Sequence, residues 1–348
     1  MLEVLQNEWA IRALLASMAV GVSCGILGCF IVLRNMSMVG DALSHAILPG
    51  IVFAFFVFGT DNSGGFFLGA VLAGWLSSFL ITWIQTKLST KNDAAIGIVF
   101  TCMFSLGVIG ISYLSSSQNI HIDLKDYLFG NVLGVSDDDL YMSFAVTLIV
   151  ITGVVVFYRS LLLTTFQSVV ARTMGVKVEQ VHYFLMLMLS FAVVSALQTV
   201  GVILVVAMLI TPASTALLLF KRLQNVILCS ALIGVLAAIG GFFVSYLFNF
   251  PPGPSMAVLA TLIYILAVVF SPNSGLVIRF VQSRKEQEKI RQEDVLKCIQ
   301  LFKSKGVLVS EESISDKLNL RSWQLNKTLK NLEKKKLLSK ANLNLSAS

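Results

Sequence analysis

The chain has 348 residues, of which 56% are hydrophobic and only 13% charged, a balance that excludes an ordinary soluble domain of this length and points to a polytopic membrane protein. Its net charge of +7 is unevenly placed: residues 1–278 carry 10 Lys/Arg against 11 Asp/Glu, whereas residues 279–348 carry 16 against 8. Five cysteines without paired spacing exclude a disulfide framework and a cysteine-based zinc cluster. The expected organisation is a membrane domain over residues 1–278, a charged linker over 279–292 and a small soluble domain over 293–348.

A membrane-spanning helix needs about 20 mainly apolar residues. In chain order the candidate runs are 9–33, 38–58, 66–86, 94–114, 139–158, 180–198, 200–220, 225–248 and 255–278. The first follows Glu3 and Glu8 rather than a basic segment and is too long for a signal-peptide core, so it reads as a retained span. Nothing charged separates the runs on either side of residues 198–201, which leaves eight or nine spans. The fold class is therefore all-α, a helical bundle of eight or nine spans. Arg34, Lys87, Lys91, Arg159, Arg172, Lys177, Lys221, Arg222 and the basic tail fall on one alternating set of loops. The other set carries Asp61, Asp123, Asp126, Asp137, Asp138 and Asp139. The positive-inside rule makes the first set cytoplasmic, and nine spans then put the N-terminus outside.

The second run holds the most informative residues. Asp41 and His45 stand four apart in Met38-Val39-Gly40-Asp41-Ala42-Leu43-Ser44-His45-Ala46-Ile47-Leu48-Pro49-Gly50. An ionisable side chain near the bilayer centre costs roughly 2.5–3.5 kcal/mol on insertion scales, so such residues mark ion or proton pathways more often than structural contacts. Positions i and i+4 share one helix face, which lets a carboxylate oxygen and an imidazole nitrogen converge on one cation. Counted from Arg34, Asp41 lies early in its span, near the cytoplasmic end. Pro49-Gly50 supplies a break that loosens helical backbone beside a cavity.

Two loops exceed a turn. On the outer side, residues 115–138 include an apolar, glycine-punctuated piece at 128–135, expected to be interfacial or re-entrant, and His121, Asp123 and Asp126, which read as a solvated acidic loop. Asp137, Asp138 and Asp139 place negative charge where it caps the next helix. On the cytoplasmic side, Phe166-Gln167-Ser168-Val169-Val170-Ala171-Arg172-Thr173-Met174-Gly175 reads as a short surface helix ended by glycine. Such a helix suits a transporter that offers a handle to a soluble motor. Glu179 and His182, which follow it, are expected to anchor the loop rather than bind metal. No glycine-rich phosphate loop with a lysine occurs, so ATP hydrolysis must come from elsewhere and the chain is not expected to be an enzyme.

In the tail, Val295, Ile299 and Phe302 restore helical periodicity. Ser310 is a candidate N-cap for a helix with Ile314 and Leu318, and Ser322 for one with Leu325, Leu329 and Leu332. The tight Asn319-Leu320 link gives helices two and three a helix-turn-helix form. Arg321, Gln324, Lys327, Thr328 and Asn331 are the side-chain types that meet phosphates and base edges, and are candidate contacts to nucleic acid or a protein partner. The alternative is a solvated face beside a basic juxtamembrane segment drawn to anionic lipid.

Residues 38–50 resemble the signature segment of the membrane permeases of bacterial metal-uptake ABC transporters, which import manganese, zinc or iron(II). Residues 128–135, 171–175, 199–205, 211–216 and 252–254 agree with that family in the expected order. The resemblance implies a permease in the bacterial cytoplasmic membrane that pairs with a second copy or a similar permease. Two cytoplasmic ATPase subunits and an extracytoplasmic metal-binding protein would complete the importer. No cofactor would be permanently bound; the metal is cargo, with Asp41 and His45 as its ligands. The ATPase would couple through Phe166, Gln167, Val170, Ala171, Arg172, Met174 and Gly175. At Gln167 the family often has an acid. The family usually ends soon after the last span, and the tail here resembles, less closely, the winged-helix domains of metal-dependent repressors. A membrane-tethered, metal-responsive transcriptional regulator is therefore the alternative function.

Two such ligand pairs give four donors of borderline hardness that accept manganese, zinc or iron(II), with manganese favoured. Histidine coordinates only as neutral imidazole, so protons compete with the metal. Uptake of metal by vesicles is expected to weaken on acidification below about pH 6.

Overall fold

The computed structural model describes residues 7–58, 63–88, 90–118, 135–271, 276–304, 311–318, 320 and 322–334. Among them there is no strand, and the chain divides into two compact units, Met1–Ser271 and Pro272–Ser348. The first unit contains α1 (Glu8–Leu33), α2 (Met38–Ala46), α3 (Leu48–Phe58), α4 (Ser63–Lys87), α5 (Asn92–Gln118), α6 (Asp137–Val156), α7 (Tyr158–Phe166), α8 (Ser168–Thr173), α9 (Val178–Val200), α10 (Val202–Leu219), α11 (Leu223–Phe248) and α12 (Pro252–Phe270). The second contains α13 (Leu276–Ser304), α14 (Glu311–Leu318) and α15 (Ser322–Lys334).

Eight helical stretches are long and apolar enough to cross a membrane, with α2 and α3 together forming one of them, Met38–Val57. The protein is a multi-pass membrane protein. The uncertain boundary around residues 198–201 is a helix break: Gly201 has φ +85° and ψ 167°, and it separates α9 from the 18-residue apolar α10. A side chain is strained at that φ, and glycine is not.

Contacts along the helices show that the chain reverses there. α1 runs parallel to α6, since Arg12 pairs with Asp137 and the Ala19 carbonyl accepts from Thr147. α6 is antiparallel to α9, with Ser143 beside Ser195 and Gly153 beside Phe184. α11 is antiparallel to α1 through Gly21 against Gly234 and Gly25 against Ser230, and antiparallel to α12 through Gly240 against Leu259 and Gly241 against Met256. α10 is parallel to α12, because Gly253 abuts Val200 and Leu204 while Ser271 donates to the Leu218 carbonyl. Hence α9 is antiparallel to α1 and α10 is parallel to it. Among the described residues, the short apolar α10 therefore runs counter to both α9 and α11.

α1 and α9 form the centre, with 78% and 72% of their most apolar stretch buried, whereas α5, α6 and α12 bury 33%, 28% and 22% and lie outermost. Small residues set the closest approaches. Gly50-x-x-x-Ala54 of α3 faces Gly69-x-x-x-Ala73 of α4, and the α1 and α11 backbones meet at Gly21 and Gly234. In lipid, where water does not drive helices together, such contacts provide the dispersion that holds them.

Asp137, Asp138 and Asp139 do occupy the first turn of α6. Ser136 and Asp139 form a reciprocal capping box, Asp139 N–H to Ser136 Oγ and Ser136 N–H to Asp139 Oδ2, both 3.2 Å. His121, Asp123, Asp126 and the 128–134 stretch lie outside the described residues.

In the second unit, Val295, Cys298 and Ile299 of α13 pack with Ile314 of α14 and Leu325, Leu329 and Leu332 of α15. The charged stretch 279–292, expected to be a linker, is helical throughout as part of α13. Its run of Lys, Arg, Glu and Gln has high helix propensity. The link between α14 and α15 is closed by Leu320 N–H to the Ser315 carbonyl, 3.0 Å, and by Ser315 Oγ–H to the Leu320 carbonyl, 2.7 Å. Ser310 lies outside the described residues.

A Cβ added at Gly21 would stand 2.8 Å from the Gly234 carbonyl oxygen, a distance that forces two backbones apart. Gly21→Leu is expected to lower stability by about 1–3 kcal/mol or more, read as a drop in melting temperature of the detergent-purified protein.

Candidate functional site

α2 is short because its continuation is interrupted. Pro49 has no N–H to give the His45 carbonyl four residues back, and the helix yields at Ile47 before α3 begins at Leu48. This break offsets α2 from α3 and leaves the Asp41/His45 face beside a cavity. His45 Nε2 lies 3.9 Å from Asp41 Oδ1. The gap is too long for a hydrogen bond. With about 2.1–2.2 Å to each atom the ligand angle would be roughly 130°, wider than the tetrahedral angle, so the two side chains must close by a few tenths of an ångström to share one ion.

His45 is wedged between α5 aromatics, its ring centroid 5.6 Å from those of both Phe100 and Phe104 in edge-on contact. These contacts fix the imidazole without using its nitrogens. The side chain of Asp41 is 52% exposed and that of His45 22%, so the carboxylate opens outward while the imidazole backs onto the bundle. Ser44, between them, donates its hydroxyl proton to the Gly40 carbonyl, 2.9 Å, and lines the adjoining cavity. A cavity of about 160 Å³ adjoins His45, walled by Ile47, Leu48, Ile51, Phe66, Ala70, Phe104, Val194, Leu197 and Val202. Gln198 of α9 is the polar group that sequence reasoning missed there. Its signal was a lone amide in an apolar run, which had been read only as a weak helix boundary.

Phe100 and Phe104 stand eight and twelve residues beyond the start of α5, or about 12–18 Å along it at 1.5 Å per residue, so His45 sits beside the middle of α5. Asp41, one helical turn before His45, is the fourth residue of the span Met38–Val57.

Among the described residues, no group of three or more His, Cys, Asp or Glu side chains gathers to hold a metal. One chain offers two donors at this point.

The 166–175 segment is two pieces rather than one helix. Gln167, at φ −143° and ψ 73°, separates α7 from α8. α8 closes in a Schellman arrangement: Val176 N–H to the Ala171 carbonyl, Gly175 N–H to the Arg172 carbonyl, and Gly175 at φ +80°. Ala171 is fully buried and anchors the helix, while Phe166, Val169, Val170 and Met174 are exposed. Arg172 and Gly175 also border a polar groove with Lys177, Glu179 and Gln180. The segment thus presents an apolar ridge beside a polar groove.

Of the tail candidates, Lys327 pairs with Glu288 of α13 at 3.2 Å. Thr328 is buried and donates to the Gln324 carbonyl, 2.8 Å, which removes it from the exposed face. Asn331 is half-buried, and Arg321 lies outside the described residues.

A multi-pass bundle with a carboxylate and an imidazole paired within a span, beside a cavity and without a nucleotide-binding loop in the sequence, defines a membrane permease. Residues 6–271 match the ABC 3 transport family, and the chain belongs to it. It is 41% identical over 286 residues to the manganese transport system membrane protein MntC of Halalkalibacterium halodurans, covering 82% of this chain and 95% of that one. It is 43% identical over 261 residues to the manganese import system permease protein ScaB of Streptococcus gordonii, covering 75% and 91%. Among solved structures, PsaBC from Streptococcus pneumoniae in complex with Fab superposes with a TM-score of 0.70 at 37% identity, covering 81% of this chain and 97% of that one. These matches leave the tail largely uncovered.

Charge on the exposed ridge should abolish docking. Val169→Asp, at a position 74% exposed, is expected to leave folding intact while reducing copurification of an ATPase subunit by at least about tenfold.

Proposed function

We propose that the chain is the permease subunit of an ATP-driven manganese importer, and that Asp41 and His45 are ligands the ion meets in transit. The observation that carries this reading is the pair's geometry: two donors 3.9 Å apart within a span, one opening outward and one held by aromatic edges. The names of the relatives favour manganese over zinc and iron(II), and the donor set agrees. A carboxylate and an imidazole without thiolate suit a borderline-to-hard divalent ion.

Two donors from one chain do not complete an ion's shell. A second permease subunit, identical or similar, facing the first supplies two more, and water fills the rest. Weak, partly aqueous coordination lets the ion leave as well as enter. The basic set of loops places Arg34, α8 and the tail on the cytoplasmic side of the bacterial inner membrane. An ATPase subunit seated on residues 166–175 then drives alternating access, and an extracytoplasmic binding protein delivers the ion to the opposite face. The second unit is a cytoplasmic accessory domain. The manganese transport proteins named above support the importer reading over the regulator.

Asp41→Ala and His45→Ala are each expected to reduce manganese uptake at least about tenfold at equal protein level, since even loss of a ligand's supporting partner costs that much. Uptake equal to wild type in both variants would remove the pair from the path.

A further inference from the structure

Arg34 is a half-buried cation with no acidic partner among the described residues. It follows α1 directly, seven residues before Asp41, and burial lowers its guanidinium from 12.5 to about 10, so it stays charged at neutral pH. Three bonds hold it: Nη2–H to Thr164 Oγ1 at 2.8 Å, Nε–H to Thr165 Oγ1 at 3.2 Å, and Nη1–H to His182 Nδ1 at 3.3 Å. Among the described residues it makes no ion pair.

The hydrogen bonds have one consistent direction. A guanidinium only donates, so His182 Nδ1 must accept. The ring proton then sits on Nε2 and is donated to Thr82 Oγ1 at 3.1 Å. Thr82 passes its own proton to the Ser78 carbonyl at 2.9 Å, and Thr164 donates to the Ser160 carbonyl at 2.9 Å. An imidazolium would set N–H against N–H at Arg34, so the network exists only with neutral His182.

The node adds directional polar bonds among α1, α4, α7 and α9, which also pack on one another. Thr164 and Thr165 end α7, immediately before the exposed ridge. His182 begins α9, immediately after it, and α9 reaches the cavity at Gln198. Thr82 lies on α4, which contributes Phe66 and Ala70 to the same cavity. Arg34 itself leads into α2. Both flanks of the ridge therefore converge on the residue that opens the connection to Asp41 and His45.

We propose that Arg34, oriented by His182, is the positioning residue that transmits displacement of residues 166–175 to the helix carrying Asp41 and His45. This rests on the reading of those residues as the ATPase seat and metal pair. Neutral acceptors suit the role: each bond to the guanidinium is a single charge-assisted contact, so partners exchange without breaking a buried ion pair. One turn beyond Thr82, Gln85 Nε2 is buried without a partner, so this end of α4 is not fully satisfied in the present arrangement.

The test uses the complete transporter, with its ATPase and binding protein, in vesicles, reading manganese(II) taken up and ATP hydrolysed. In Arg34→Lys, which keeps charge but loses the fork, and in His182→Gln, which keeps a donor toward Thr82 but not the acceptor for Arg34, hydrolysis is expected within about twofold of wild type. Manganese per ATP should fall about tenfold, within the usual range of intersite coupling. His182→Asn places an amide oxygen where Nδ1 lies and should restore most of that ratio. Should Arg34→Lys fail to assemble, Thr165→Val removes one bond at near-constant volume and should lower the ratio about threefold. An unchanged ratio in the assembled variants, or uptake and hydrolysis falling by the same factor, overturns the proposal. Absence of manganese uptake by the wild-type transporter would instead overturn the functional reading beneath it.

Discussion

In hydrocarbon every polar group must find its partner inside the protein, and this constraint orders the whole bundle. Most hydroxyls meet it locally: Ser17, Ser44, Ser77, Ser78, Thr82, Ser190, Thr199 and Thr215 each donate to the carbonyl four residues back on their own helix. Such bonds add no tertiary information, which leaves interhelical specificity to shape. The few that cross helices do so where backbones nearly touch, as Ser230 Oγ–H does to the Gly25 carbonyl at 2.7 Å and Thr147 to Ala19 at 3.0 Å. Against this background Asp41 and His45 stand out because neither is engaged by a hydrogen bond to the bundle. Their polarity is uncommitted, which is the state a transient ligand needs.

Glycine and alanine contacts bring α1 onto α11 and α3 onto α4, so the core closes without large side chains on those faces. The cavity beside His45 lies where α2, α3, α4, α5, α9 and α10 meet. Pro49 adds the local cause. A continuous helix through residue 47 would continue α2 along α3, and the break instead gives α2 its own path against α5 and α10.

Much of this was legible in the sequence, because the signals were strong and short-ranged. Nine apolar runs, the i, i+4 spacing of Asp41 and His45, the glycine ending residues 166–175 and the acidic first turn of α6 are all properties of a single segment. His182 as an anchor was also legible, from its place just after the exposed segment. What escaped was long-range. The seat of His45 between Phe100 and Phe104 depends on how α2 meets α5, and Gln198 matters only once α9 passes His45. Arg34 read as a loop cation for the positive-inside rule, since nothing local reveals that Thr164, Thr165 and His182, some 130 to 148 residues away, enclose it. Thr328 failed for a related reason, because helical spacing alone does not distinguish the edge of a buried face from an exposed one.

The two arginines flanking α1 make a final comparison. Arg12 lies between Glu8 at 3.3 Å and Asp137 at 2.9 Å, with all three side chains substantially exposed. Water and salt screen such pairs, which contribute little individually and tolerate rearrangement. Arg34, half-buried, relies less on water, and a carboxylate packed against it would create a pair that is costly to separate. The structure gives it hydroxyls and a neutral imidazole instead. Both ends of α1 thus avoid a locked ion pair, one by exposure and the other by choice of acceptor. A central helix held this way can shift at either end without stranding a buried charge, which is the physical requirement that alternating access places on the middle of a bundle.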